Sequence, residues 1–347
     1  MSRDQIHWEL LATDALSQHA RGWDDLNDGA QRSPLLTSRL FELSLEQFGS
    51  GAERLAVARR GNATVAMAIL ESTRLGSWQT FQPAQAPIGA WVQRRDLSTV
   101  DLAQTLLRRL PANALVLGVT QQDPDLLARP AEQANRVETQ DYIRTARISV
   151  AGSFADYWQA RGANLRQNLR KQRNKLAREN IATRLEIIAD PAAIGAAVDD
   201  YGRMESAGWK AEGGTAVHPD NAQGRFYRDL LVDAARSGNG AVYRYFFDQK
   251  LVACDLAVSR GGTVVILKTT HDESLAKLSP TMLMRETAFQ LIFDERRYER
   301  IEFYGKLMDW HTKWSDEIRT MYHVNLWRWP WLRSVMKRVR ERRSAVT

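Results

Sequence analysis

The 347-residue sequence holds one cysteine, Cys254, and six histidines. A lone thiol excludes an internal disulfide and a cysteine metal cluster, and it fits a reducing compartment. The histidines form no pair at ligand spacing, so neither zinc nor any other metal is expected. No apolar run reaches the roughly 18 residues that a membrane-spanning helix needs. The opening residues, MSRDQIHWELLATDALSQHA, lack the basic, apolar and small-residue order of a secretory leader. These absences predict a cytoplasmic protein. Also missing are a P-loop, a dinucleotide-binding glycine fingerprint and a nucleophile-elbow serine, which excludes the chemistries those motifs carry. What is there is a globular composition, 44% hydrophobic and 26% charged. The length suits two domains better than one.

Acidic residues are scarce in two places. Residues 161–180 carry seven Lys/Arg against Glu179, and residues 328–343 carry seven against Glu341. Of the net charge of +7, each segment contributes +6, so the rest of the chain sums to about −5. A mildly acidic body with two basic patches points to a local anionic partner: a phosphorylated cofactor, a nucleotide sugar, tRNA or an anionic membrane. DNA is not expected. In the first patch a thin stripe of Leu165, Leu169 and Leu176 is surrounded by basic residues. The plain reading is a solvated helix, but its uncompensated field would draw an anionic substrate, with Arg170 and Arg173 as contacts. In the second patch Trp327, Trp329 and Trp331 alternate around Pro330, and Leu332, Val335, Met336 and Val339 follow at helical spacing. That composition suits an interfacial amphipathic helix, or a terminal helix docked on the protein by the same apolar face.

The sequence also repeats itself. A helical pattern reaching Trp23 leads to a second, SPLLTSRLFELSLEQF, then to RLAVARRGNATVAMAILES, two alternating strands around a turn at Gly61 and Asn62. The second half gives a helix ending near Trp209, a helix in HPDNAQGRFYRDLLVDAARSG, and the hairpin AVYRYFFDQKLVACDLAVSR turning at Asp248–Lys250. Matching elements lie roughly 185 residues apart, which predicts a duplicated domain and not a solenoid. The first half continues through FQPAQAPIGAWV to a helix at 99–110 and the strand NALVLGV; the second through GTVVILKTT, a helix opening at Ser279–Pro280, and RIEFYG. Strands and helices in this order predict an α/β fold with mixed sheets.

Three groups of residues could carry chemistry. Ser279, Pro280 and Thr281 open a helix directly after a strand, where free N–H groups and the helix dipole suit a phosphate; an ordinary N-cap is the plainer reading. Lys268 closes the strand VVILKTT nearby and could bind the same phosphates. The segment YGKLMDWHTKWSD sets Lys306, Asp309, His311, Lys313 and Asp316 among Tyr304, Trp310 and Trp314. Aromatic walls can tune a histidine for proton transfer, so His311 is the candidate base, Asp309 its orienting partner and Lys313 a substrate contact. Glu302, beside Phe303 on a strand, competes as base.

The ordered set NLRQNLRKQRNKLAREN, Gly208–Trp209 at a helix end, LKTTHDESLAKLSP and EFYGKLMDWHTKWSDEIR resembles the CelD/BioF2-type acetyltransferases of the GNAT superfamily, relatives of the FemABX peptidyltransferases. The resemblance spans about 180 residues of the second half. It implies tandem GNAT-like domains: a degenerate copy over 1–150, a catalytic copy over 151–325, and a basic aromatic tail over 326–347. It further implies acetyl-CoA or another acyl-CoA as donor. The acceptor it implies is an amine on a small molecule or on a glycan precursor of the cell envelope or an exopolysaccharide. Trp209 and Lys210 then stand on the substrate side. With the tail, the enzyme could sit peripherally on the inner face of the membrane. Two alternatives stay open: FemX-like aminoacyl transfer from charged tRNA, and non-catalytic binding of an anionic polymer.

Overall fold

The computed structural model describes residues 5–74, 76–131, 136–207 and 217–334. The chain divides into two units, one of residues 1–144 with 319–347 and one of residues 145–318.

The first unit opens with β1 (Ile6–Ala12), α1 (Leu16–Gly29) and α2 (Ser38–Phe48), then β2 (Arg54–Arg60), β3 (Ala63–Arg74), β4 (Ser77–Thr80) and β5 (Trp91–Gln93). It continues through α3 (Thr99–Arg109), β6 (Val116–Gln122) and the start of β7 (Val137–Ser149). The β2–β3 turn falls where the sequence put it, with Gly61 at φ 58°, a left-handed conformation that glycine adopts without a Cβ clash. Thr37 and Ser98 start α2 and α3 by accepting backbone N–H bonds, the usual N-cap arrangement. The core of this unit gathers Trp8, Trp91, Leu102, Leu106 and Tyr322.

The second unit contains the end of β7, α4 (Phe154–Gln159), the basic α5 (Ala163–Arg178), β8 (Thr183–Ile188), α6 (Pro191–Ser206) and α7 (Ala222–Arg236). Next come β9 (Gly240–Phe247), β10 (Lys250–Arg260), β11 (Thr263–His271), α8 (Pro280–Glu295), β12 (Arg300–Glu302) and α9 (Asp309–Trp314). Its strands run β7-β12-β11-β10-β9-β8. The last strand, β13 (Glu317–Trp327), leaves this unit after Ile318 and completes the first, whose order is β1-β2-β3-β4-β6-β13-β7 with β5 on β3. The expected boundaries at 150 and 325 therefore differ from these. Leu326 and Trp327, expected to begin a tail, are strand residues paired with Leu117 and Val116.

In the second unit the sheet carries helices on both faces. Asp255 and Thr269 are register partners on β10 and β11, and Thr269 is hydrogen-bonded to Arg285 of α8, so that face looks toward α8. Alternation sends their neighbours Leu256 and Lys268, also partners, to the side of α6 and α7. The thin stripe of α5, Leu165, Leu169 and Leu176, is buried in the same core as Phe289 and Phe293 of α8. The helix is thus solvated on one side and docked on the other.

Candidate active site

β11 and β12 are parallel but pair over three residues only, Thr263–Val265 against Arg300–Glu302. β11 runs on to His271, bonded to β10, while the chain after Glu302 turns away. Beyond Val265 the outer edge of β11 has no hydrogen-bonded strand among the described residues, which leaves a wedge at the carboxyl ends of two parallel strands. That is where ligands bind in open α/β sheets. A register shift in the β10–β11 ladder places one extra residue, Leu267, on β11 beside the wedge, and such bulges re-aim the side chains that follow.

At the open end α8 begins. Ser279 holds φ 54°, a left-handed conformation that an L-residue adopts at a cost. Its hydroxyl makes no cap bond. This corrects the expected serine N-cap: the Ser279 carbonyl instead accepts the N–H groups of Met282 and Leu283, at 3.0 and 3.1 Å. Pro280 has no N–H, so of the first turn's donors only that of Thr281 faces outward for a ligand.

Behind the wedge lies a buried polar cluster that the sequence reading did not select. Asp255 and Arg285 are both fully enclosed. Burial raises the Asp255 pKa against the pull of the Arg285 charge and a Thr269 bond. Burial lowers that of Arg285 against the pull of Asp255. The two opposite charges are not in direct contact: Arg285 Nη2 donates to the Thr269 hydroxyl at 3.0 Å, while Asp255 Oδ1 and Arg285 Nε have no hydrogen-bond partner among the described residues. The guanidinium lies 4.0 Å from the Trp310 ring, and Trp310 stacks on His311 at 3.5 Å. Phe303 meets both rings edge-on.

His311 is buried, and its Nδ1 accepts the Met308 N–H at 2.9 Å. A nitrogen that accepts carries no proton, so the neutral ring holds its proton on Nε2. Burial first, and then the Arg285 charge, pull its pKa down to about 4. The orienting partner is thus the Met308 backbone, whereas Asp309 is exposed on the first turn of α9. A depressed histidine pKa stabilises the fold above the unfolded value near 6.5, and that contribution fades as pH falls toward about 4. In His311→Gln, the dependence of melting temperature on pH between those limits is expected to flatten. An unchanged slope would mean that the imidazole does not titrate there.

The other expected residues are dispersed. Glu302 is buried at the end of β12, at the base of the wedge, with Arg300 Nη1 3.6 Å from its Oε1. Lys268 points away from α8, toward Glu205 of α6 at 4.0 Å and the Tyr227 ring at 5.7 Å, so it does not join Ser279–Thr281. The buried Glu205 also takes the Tyr201 hydroxyl at 3.0 Å and the Val217 N–H at 2.8 Å. On that side a cavity of about 510 Å³ opens, lined by Asp200, Met204, His271 and Asp272 among others. Arg173 is half-buried and fastens α5 to α8 through Glu286 and Thr287, at 2.8 and 3.2 Å. Arg170 stays exposed, as does Lys313 on α9. Trp209 and Lys210 lie outside the described residues. Asp255 carried one legible signal, a single charge inside the apolar run VACDLAV, whereas Arg285 is followed directly by Glu286 and gives no such cue.

Residues 163–314 match the family model described as an acetyltransferase (GNAT) domain. That segment makes up most of the second unit and is similar to this acetyltransferase family. No curated protein matches the chain. Among solved structures, the C-terminal domain of a protein assigned as a lysylphosphatidylglycerol synthetase from Agrobacterium fabrum aligns with TM-score 0.59 and 14% identity, over 89% of this chain and 92% of that one. FemX aligns with TM-score 0.57 and 10% identity, over 89% and 96%. L-PGS from Bacillus licheniformis gives TM-score 0.52 and 14% identity, over 86% and 93%. At these identities the likeness is one of fold.

Proposed function

We propose that the second unit transfers an acyl group from acyl-CoA to an amine of a cell-envelope precursor. The wedge between β11 and β12 carries this reading. Its strand edge, which has no hydrogen-bonded strand among the described residues, can offer backbone N–H and C=O groups to the amides of a pantetheine arm, as an added strand would be held. Thr281 N–H at the mouth can take a phosphate. The bound donor supplies a thioester. The amine nitrogen attacks its carbonyl carbon, the C–S bond breaks, and the thiolate leaves to take up a proton.

The base on this reading is Glu302, at the foot of the wedge, in place of the expected His311. The Nδ1 of that ring is committed to Met308, and its Nε2 already holds a proton, so it serves better as a neutral donor. The cavity beside His271 gives the acceptor room. A cell-envelope acceptor draws support from the names of the aligned proteins, FemX and lysylphosphatidylglycerol synthetase. One observation favours the second reading, aminoacyl transfer from tRNA: exposed Arg170, Lys171 and Arg178 line one open face of α5.

Thr281→Glu sets a carboxylate where the phosphate is expected. Calorimetry should show CoA affinity falling about tenfold or more, with the far-ultraviolet circular dichroism spectrum retained. Unchanged affinity in the folded variant would remove this site. Stabilisation of the wild type by aminoacyl-tRNA and not by acyl-CoA would favour the second reading.

A further inference from the structure

The described residues after β13, 328–334, are docked by one side and bare on the other. The Arg328 guanidinium donates to the carbonyls of Leu107, Leu110, Pro111 and Ala114, which close the end of α3. Trp327 and Leu332 are buried. Trp329 and Trp331 point the other way, 42% and 59% exposed, with their rings stacked 6.2 Å apart at 10°. A docked tail that needed its tryptophans for packing would bury them. Here Arg328 and Leu332 do the docking, and two parallel indoles are left on the surface.

Arg108 and Arg109 form the last turn of α3, the helix end whose Leu107 and Leu110 carbonyls hold Arg328, the residue preceding Trp329. Both are exposed, and neither has an ion-pair partner among the described residues. The sequence from residue 335 onward adds five Lys/Arg against Glu341. Exposed indoles bordered by unpaired cations match the boundary of an anionic bilayer: the rings enter at headgroup depth, and each cation adds on the order of 1 kcal/mol of attraction, roughly fivefold in affinity. We infer that the face formed by Trp329, Trp331, Arg108 and Arg109 binds an anionic lipid surface. It involves the first unit alone and is independent of the acyl-transfer reading.

The full chain is sedimented with vesicles of phosphatidylcholine, and of phosphatidylcholine with phosphatidylglycerol, at low and high salt. Binding is expected on the anionic vesicles and should weaken as salt screens the arginines. Trp329→Ala with Trp331→Ala should cut it about tenfold or more on those vesicles. Arg108→Glu with Arg109→Glu should do so only where the lipid is anionic. Neither pair should move the melting temperature by more than about 2 °C, because the altered side chains are exposed. Wild-type protein left in the supernatant at low salt would overturn the inference, as would a tryptophan variant that binds like the wild type. In either case the face is left for a protein partner.

Discussion

Glu302→Gln is expected to lower turnover by about a hundredfold to ten-thousandfold while leaving CoA affinity within a factor of about two. The substitution keeps the size of the buried side chain and its oxygen toward Arg300, and removes only the group that can take a proton. Glu302 ends β12 at the last residue paired with β11, so its side chain stands where the strands part. A donor lying along the β11 edge beyond Val265 would bring its thioester toward that point. Single-turnover rates with acyl-CoA and an amine acceptor make the comparison, and His311→Gln serves as the control. The histidine variant should lose less, because a neutral hydrogen-bond donor is partly replaced by the glutamine amide. A Glu302→Gln enzyme with near-normal turnover would move the base to another group, and equal large losses in both variants would make His311 a participant.

The second large effect is on stability. Asp255→Ala is expected to destabilise the second unit by about 3–5 kcal/mol, because it strands the Arg285 cation in the interior. Arg285→Ala should cost a similar amount by stranding Asp255, and it also removes the cation stacked on Trp310. Replacing both at once, Asp255→Leu with Arg285→Met, should recover most of the loss, since two apolar side chains of similar size leave no charge to compensate. Chemical denaturation of the four proteins gives the coupling directly. Additive losses in the double variant would mean that the two charges do not depend on each other. Activity need not follow stability. The double variant also withdraws the charge that helps keep His311 neutral, so the His311 pKa should rise from about 4.

What the sequence displayed and what it hid have separate physical causes. The hairpins β2–β3 and β9–β10 were legible because buried apolar runs meet a turn at each, with Asp248 at φ 51° in the second. The helix after Ser279 was legible from proline, which fixes φ at its first position. The left-handed Ser279 was not, since serine there gives no compositional cue. β7, β8 and much of β13 escaped notice because their residues are half-exposed and the apolar alternation is weak. The strand β1 was absorbed into the helical pattern that follows it. At the site, aromatics around His311 were evident, but its bond to the Met308 N–H is a backbone event that no spacing announces. Asp255 and Arg285 sit on different elements 30 positions apart in the sequence. Their common approach to Thr269 is set by sheet register and helix placement, which periodicity does not carry.

The return of β13 to the first unit fixes the order in which a ribosome can deliver a finished fold. Every element of the second unit up to Ile318 has been synthesised before β13 begins to emerge, whereas the first unit, started at residue 1, lacks its strand between β6 and β7 until then. The domain that is translated first is therefore completed last. For most of the synthesis time β6 waits with an unpaired edge, the kind of surface that recruits the wrong strand or a chaperone. A stop codon just after Ile318 would spare the second unit and still leave the first one open.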